Sequence, residues 1–97
     1  MADERPNILL IMTDQQRGDC LGIDGHPVLQ TPFLDNLAES GVRFSNGYSA
    51  CPVCTPARRT VLTGRKPSRH GVLVNHNAPL PWPTMAGELQ EAGYQTH

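Results

Sequence analysis

The feature that most constrains the fold is an uninterrupted apolar run at residues 8–12, which is followed two residues later by Asp14. Five consecutive apolar residues show no alternation between two faces, and such a run is typical of a strand covered on both sides in a parallel sheet. The run is much shorter than the roughly 20 residues of a membrane-spanning helix. The sequence therefore predicts a buried central strand over residues 7–13 and no membrane span.

Proline at the start and glycine at the end delimit three predicted helices, because proline is favoured at the first helical position and glycine just past the last. The pairs are Pro32 with Gly41, Pro56 with Gly64, and Pro83 with Gly93, and Thr31 is the predicted N-cap of the first helix. Between the second and third helices, residues 65–82 show no clear period and are predicted to form a loop.

Further strands are predicted after two of these helices. Val42, Phe44 and Tyr48 follow the first helix with an alternating pattern, and residues 94–97 follow the third. Strands that alternate with helices predict an α/β fold in which a mainly parallel sheet is flanked by helices.

Size, charge and cysteine number narrow the functional classes. The chain has 97 residues, enough for one small domain, and its formal net charge is −1. The absence of a basic excess argues against nucleic acid as a partner. Three cysteines do not suggest a disulfide framework. The acidic start, residues 1–6, has no basic region before an apolar core, so a chain that begins natively at Met1 is expected in the cytoplasm.

Two polar side chains, Asp14 and Gln15, directly follow the first predicted strand. In open α/β sheets, ligands bind beyond the carboxyl ends of the strands. A carboxylate and an amide oxygen are hard ligands, suited to Ca²⁺, Mg²⁺ or Mn²⁺. The alternative is that Asp14 only begins a turn, and the spacing does not decide between the two.

A second group of candidate residues surrounds Cys54. If a helix begins at Pro56, Cys54 lies at the helix N-terminus, where free N–H groups and the helix dipole favour an anion. Arg58, four residues later, then lies on the same side of the first turn. A nucleophile, a helix end and a guanidinium can together bind a tetrahedral oxyanion. The alternatives are a buried cysteine beside a surface arginine, or a dithiol or metal-binding module formed by Cys51 and Cys54.

The pattern Cys54-x-Pro56-x-Arg58-x4-Thr63-Gly64 resembles the signature of the type I sulfatases, which belong to the alkaline phosphatase superfamily. Further motifs of that family occur in the same order over nearly the whole chain. They are Pro6-Asn7-Ile8 to Asp14-Gln15, Thr31-Pro32-x-Leu34-Asp35, Gly41-Val42-x-Phe44, Arg69-His70-Gly71-Val72 and Ala92-Gly93-Tyr94-x-Thr96. The resemblance implies that residues 1–97 are the N-terminal part of an alkaline-phosphatase-like catalytic domain whose remainder is absent.

The resemblance implies a catalytic role for two residues. Cys54 would be converted to formylglycine by a separate maturation enzyme, and the hydrated aldehyde would attack the sulfur of a sulfate ester. Arg58 would hold the formylglycine and offset developing negative charge. The full-length protein is thus expected to be a sulfuric-ester hydrolase, with a phosphonate or phosphate ester hydrolase of the same superfamily as the alternative. The 97-residue chain alone is expected to be inactive.

The resemblance also implies a divalent metal, most often Ca²⁺, with Asp14, Gln15 and the modified Cys54 among its ligands. Many relatives carry a second Asp at the position of Gln15. His76 follows the signature at a distance where relatives have substrate-pocket residues, which makes it a candidate substrate contact. Arg59 and Arg65 are interpreted as solvated charges at the helix end. Because apolar strand edges are expected to be exposed, the chain is also expected to self-associate.

Overall fold

The computed structural model describes residues 5–97. The acidic start, on which the expected cytoplasmic location depends, includes residues 1–4, which lie outside the described residues. The chain divides into two compact units, Met1–Ser45 and Asn46–His97. Within residues 5–97, no helix has the length and apolar character required to cross a membrane.

The first unit contains helix α1, Pro32–Ser40, and a short 3₁₀ turn, Gly22–Asp24. Pro32 begins the helix as predicted, but Thr31 does not cap it. The Thr31 hydroxyl instead accepts a hydrogen bond from the Gly22 N–H at 2.8 Å and donates one to Asp35 Oδ1 at 2.7 Å. Asp35 Oδ1 also accepts from the Ile23 N–H at 3.0 Å, so these side chains fasten the 3₁₀ turn to the start of α1.

The second unit contains helices α2, Cys54–Thr63; α3, Pro67–His70; and α4, Met85–Glu91. Helix α2 begins two residues before the predicted start, because proline is tolerated in a first turn whose N–H groups have no helical acceptor. Helix α3 lies within the predicted loop. The Thr84 hydroxyl accepts from the Gly87 N–H at 3.1 Å and caps α4, which leaves Pro83 outside that helix.

Glycine ends α2 as predicted. Gly64 has a φ of 66°, in the left-handed region that residues with a side chain rarely adopt, and its N–H donates to the Thr60 carbonyl at 2.8 Å. The first predicted terminator behaves differently, because Gly41 has a φ of −125° and does not form a left-handed cap.

The predicted strands are not formed in the part of the chain that the structure describes, residues 5–97. The run at residues 8–12 lies in the open, and Leu9 is 84% exposed. A strand requires neighbouring strands to pair its N–H and C=O groups, and a strand buried on both faces also requires covering layers. The parallel sheet therefore stays a prediction.

Burial is concentrated in the second unit, where it supports α2. Among the described residues, Val72 is the buried large aliphatic side chain, and Pro56 is fully buried. Two buried side chains are polar or charged, namely Arg59 and His70. Burying such groups is unfavourable unless they are hydrogen-bonded. Their hydrogen-bond partners therefore show which segments of this unit are fixed to α2.

Candidate active site

Cys54 is the first residue of α2 and is half-buried. The preceding Val53 is extended, and its carbonyl accepts the first helical hydrogen bond, from the Ala57 N–H at 3.1 Å. The prediction that Cys54 lies at a helix N-terminus is therefore confirmed, although the helix begins at Cys54 itself. This position directs the positive end of the helix dipole at the cysteine.

The N-terminus of α2 is capped from a distant part of the chain. Val53 has no polar side chain, and Pro56 has no N–H. The Thr55 N–H donates to Asn75 Oδ1 at 2.8 Å, across 20 residues. Sequence reasoning did not single out Asn75, because a cap is sought next to the helix rather than in a remote loop. The first three residues of α2 therefore have two backbone N–H groups. Asn75 accepts a hydrogen bond from that of Thr55, and that of Cys54 lies at the helix end.

Arg58 and Arg59 are adjacent in α2 but lie in different environments. Arg58 is exposed and lies one turn after Cys54, so the two share a face of the helix, as predicted. Arg59, expected to be a solvated charge, is only 9% exposed, which makes that expectation wrong. Its guanidinium donates to the carbonyl of Pro79 at 2.6 Å and to that of Ala78. The sequence offers no sign of this, because the acceptors are main-chain atoms about 20 residues away.

A chain of hydrogen bonds connects buried His70 to the first turn of α2. His70 Nδ1 accepts from the Val72 N–H at 3.2 Å, so a neutral ring carries its proton on Nε2. That proton points to the Thr60 hydroxyl at 3.3 Å, and the hydroxyl donates to the Pro56 carbonyl at 3.1 Å. Every member of this chain is satisfied, and α2 is thereby fixed to the segment that follows α3.

His76 has the opposite arrangement. It is exposed, and its Nδ1 lies 3.2 Å from the Val74 carbonyl. A carbonyl only accepts, so Nδ1 carries the proton, and the Nε2 of a neutral ring keeps its lone pair. The sequence-predicted substrate residue thus presents a hydrogen-bond acceptor to solvent, next to the residue that caps α2.

The predicted metal residues, Asp14 and Gln15, lie in the first unit and are both exposed. Gln15 has a φ of 54° and is the residue other than glycine with positive φ in the described chain. Such strain, of about 1–3 kcal/mol, is concentrated at functional sites. Their oxygen donors fit a hard cation in kind but not in number. Among residues 5–97, no three or more His, Cys, Asp or Glu side chains are grouped to hold a metal.

Asp19, which follows Asp14 by five residues, forms an ion pair with Arg17. Arg17 donates two hydrogen bonds to its carboxylate, Nε to Oδ1 at 2.9 Å and Nη2 to Oδ2 at 2.6 Å. These bonds lower the pKa of Asp19 below its ordinary value, and the same carboxylate raises the pKa of Arg17. Both oxygens of the Asp19 carboxylate therefore accept a hydrogen bond from Arg17.

A cleft of about 450 Å³ lies at the other end of α2, between that helix and the start of α4. Thr63, Arg65, Thr84 and Glu88 supply its polar lining. The Arg65 guanidinium lies over the Trp82 ring, 5.7 Å from its centre, so Trp82 forms a cation–π contact. This end of α2 is roughly 13 Å from Cys54, at 1.5 Å per helical residue, and does not contribute to the Cys54 site.

For the alternative module at Cys51 and Cys54, the described chain offers no support for the zinc form. Cys20, Cys51 and Cys54 are all free thiols, which is also the state of a reduced dithiol. A zinc site needs four ligands, and residues 5–97 gather no such group.

Comparison with known proteins shows which family the chain belongs to. Residues 6–97 match the family described as Sulfatase. The chain belongs to the sulfatase family. The expectation from the Cys54-x-Pro56-x-Arg58 motif is thereby confirmed at the level of the family. No solved structure gave a significant match.

Several curated sulfatases are similar to this member of the family. An arylsulfatase from Clostridium perfringens is 44% identical over 95% of the chain, and an ulvan-active sulfatase from Formosa agariphila is 44% identical over 95%. A human N-acetylgalactosamine-6-sulfatase is 47% identical over 72% of the chain. The matched parts are 20%, 18% and 13% of these relatives, so the chain spans about a fifth of their length or less.

Proposed function

We propose that the enzyme carrying this chain hydrolyses sulfuric esters at a formylglycine formed from Cys54. The observation that carries the proposal is the half-buried Cys54 at the first position of α2, with Arg58 one turn later on the same face. Family membership supports it, as do relatives whose names are arylsulfatase, ulvan-active sulfatase and N-acetylgalactosamine-6-sulfatase. The sulfate ester substrate and a formylglycine-generating maturation enzyme are part of the proposal.

The side chains around Cys54 have separate tasks in this proposal. Once formed, the formylglycine would supply the nucleophile, and a bound divalent ion would supply Lewis acidity. Arg58 offers a planar set of donors to the sulfate oxygens, which carry charge in the transition state. Asn75 keeps the first turn of α2 in place through the Thr55 N–H, so that the N–H of Cys54 and the helix dipole are oriented before the substrate arrives.

Asp14 and Gln15 are proposed to hold the divalent cation together with residue 54. Carboxylate and amide oxygens suit Ca²⁺, with Mg²⁺ or Mn²⁺ as alternatives. The positive φ of Gln15 supports a functional constraint at this position. Because Ca²⁺ takes six to eight oxygen ligands, Asp14 and Gln15 account for only part of its shell.

The finer fold, a mainly parallel sheet flanked by helices, is also a proposal, in which residues 1–97 form the N-terminal part of a catalytic domain. It is supported by the apolar side chains at residues 8–12, which are between 50% and 84% exposed. Exposed apolar surface of this kind is covered in stable proteins by packing or association. We propose that residues 7–13 become the central strand when further strands pair with them.

His76 is proposed to contact the substrate. The support is its exposure, the acceptor lone pair on its Nε2, and its position next to Asn75, which binds the residue after Cys54. An acceptor at this place suits a hydroxyl or amide of the group that carries the sulfate.

Mass spectrometry of the Cys54 peptide and a substrate panel test the proposal on the enzyme co-expressed with a maturation enzyme. We expect the mass loss of thiol-to-aldehyde conversion at Cys54 and turnover of an aryl sulfate. Cys54→Ala should abolish both, whereas the matched control Cys51→Ala should retain both. Equal loss in the two variants would instead favour a dithiol function.

The same panel separates the two hydrolase chemistries. It contains an aryl sulfate, an aryl phosphate and a phenylphosphonate ester with one common leaving group. The highest kcat/KM is expected for the sulfate. A highest value for the phosphonate would overturn the sulfatase assignment while leaving the formylglycine site intact.

A further inference from the structure

Residues 75–79, here called the anchored loop, are fastened to α2 at both ends. At the first end, Asn75 Oδ1 accepts from the Thr55 N–H at 2.8 Å. At the other, the carbonyls of Ala78 and Pro79 accept from the Arg59 guanidinium, the latter at 2.6 Å. His76 therefore lies between two fixed points on the helix that begins with Cys54.

The Arg59 end of this attachment is costly to build. Arg59 is 9% exposed, and burying a charge is unfavourable unless it is well compensated. In the described part of the chain, its hydrogen-bond acceptors are two main-chain carbonyls and no carboxylate. An apolar side chain could fill the same space without that cost, so the two directed bonds are the distinctive contribution of arginine here.

The direction of Arg59 separates it from the predicted chemistry. Successive residues of an α-helix project about 100° apart, so Arg59 points away from the face shared by Cys54 and Arg58. Its guanidinium is used by the anchored loop. A direct contact between Arg59 and a sulfate bound at Cys54 does not fit this arrangement.

We propose that Arg59 is a positioning residue for substrate selection: it holds the anchored loop so that His76 stays beside the Cys54 end of α2. The inference rests on the proposed role of His76 in substrate contact. Loss of the Arg59 bonds releases one end of the loop while the Asn75 contact remains, so His76 is displaced without removal of any group that touches the substrate.

The first test compares Arg59→Met with Arg59→Lys in the enzyme, using two sulfate esters that differ only in the hydrogen-bonding groups of the alcohol. Rates are normalised to the formylglycine content measured by mass spectrometry. Arg59→Met should lower kcat/KM for the preferred ester about ten- to a hundredfold, the cost of misplacing a contact by about 1 Å, and should reduce the preference between the two esters. Arg59→Lys, which keeps the charge and can reach one carbonyl, should lie in between.

The matched control is Arg69→Met, at an exposed arginine outside the loop, and it should leave the preference unchanged. The second test is a double-mutant cycle with His76→Ala. If Arg59 acts through His76, adding Arg59→Met to His76→Ala should change the preference between the two esters less than twofold. An equal loss on both esters, or independent multiplication of the two effects, would overturn the proposal and leave Arg59 as a stabilising residue only.

NMR relaxation provides a readout that does not require turnover. The backbone order parameters of residues 76–78 should fall in Arg59→Met, and the Thr55 amide should keep its protection from hydrogen exchange because the Asn75 bond remains. Unchanged order parameters in the loop would refute the positioning role even if the enzyme is a sulfatase. If no sulfate ester is hydrolysed but the loop is released, the proposed function fails and the attachment of the loop by Arg59 stands. If Arg59→Met does not fold, the same comparisons are made on Arg59→Lys.

Discussion

The remote cap on α2 offers a direct test of how the helix under Cys54 is stabilised. Replacing Asn75 with Ala removes the acceptor of the Thr55 N–H bond, which measures 2.8 Å. Val53, at the N-cap position, has no side-chain acceptor to substitute for it. Loss of an N-cap acceptor costs about 1 kcal/mol. We therefore expect Asn75→Ala to lower the free energy of unfolding by about 1 kcal/mol, roughly a fivefold change in the unfolding equilibrium.

Asn75→Asp separates stability from catalysis. A carboxylate keeps the acceptor, and negative charge at a helix N-terminus adds about 0.3–1 kcal/mol. Stability should thus be maintained or raised. The same charge lies beside the residue after Cys54, where it repels an anionic ester, so KM for an aryl sulfate should rise.

Urea unfolding of the enzyme, followed by circular dichroism, measures the stability differences, with a constant m-value as the check that the unfolded states are comparable. Asn77→Ala is the matched control, because Asn77 is an exposed amide in the same loop. The cap interpretation fails if Asn75→Ala and Asn77→Ala are equally stable. It also fails if Asn75→Asp loses as much stability as Asn75→Ala.

Three further predictions concern other parts of the chain. His70→Leu leaves the Val72 N–H without its acceptor and should cost about 1–3 kcal/mol in urea unfolding, so an unchanged midpoint would contradict the buried hydrogen-bond chain. Gln15→Gly should relieve its positive φ and raise stability by up to about 1 kcal/mol, yet weaken Ca²⁺ binding measured by calorimetry; unaltered affinity would remove Gln15 from the metal site. Arg17→Met should raise the pKa of Asp19 towards its ordinary value in an NMR titration, because the variant lacks the two hydrogen bonds that favour the ionised carboxylate. The contribution of this pair to folding is present above the unfolded-state pKa of Asp19 and is lost as the pH falls. An unchanged Asp19 pKa would mean that Arg17 does not cause the shift.

Local signals in the sequence indicated three of the helices and the family, although they missed the short helix α3. Pro32 and Gly64 mark helix ends where the structure has them, because proline and glycine act through their own backbone preferences. The Cys54-x-Pro56-x-Arg58 spacing indicated a helix end with an arginine on the cysteine's face, and both features are present. Such properties depend on neighbours in sequence, so they can be predicted without knowledge of the rest of the fold.

The strands show where local signals are insufficient. The apolar run at residues 8–12 has the composition of a buried strand, yet the described residues contain no strand there. A helix satisfies its hydrogen bonds within its own segment, whereas a strand depends on partners elsewhere. Composition can therefore indicate a strand, but a strand forms only when neighbouring strands pair with it.

The sequence by itself determined the local features of the candidate site and the family. These are a cysteine at a helix end, an arginine one turn later, and membership of the sulfatase family. Only the tertiary structure decided how that helix is held. Asn75 caps it, and Arg59 is buried to bind the loop that carries His76. These contacts join atoms about 20 residues apart, and three of the acceptors or donors are main-chain groups that every residue possesses. No residue type predicts such a contact, because the two groups come together only after the chain has folded.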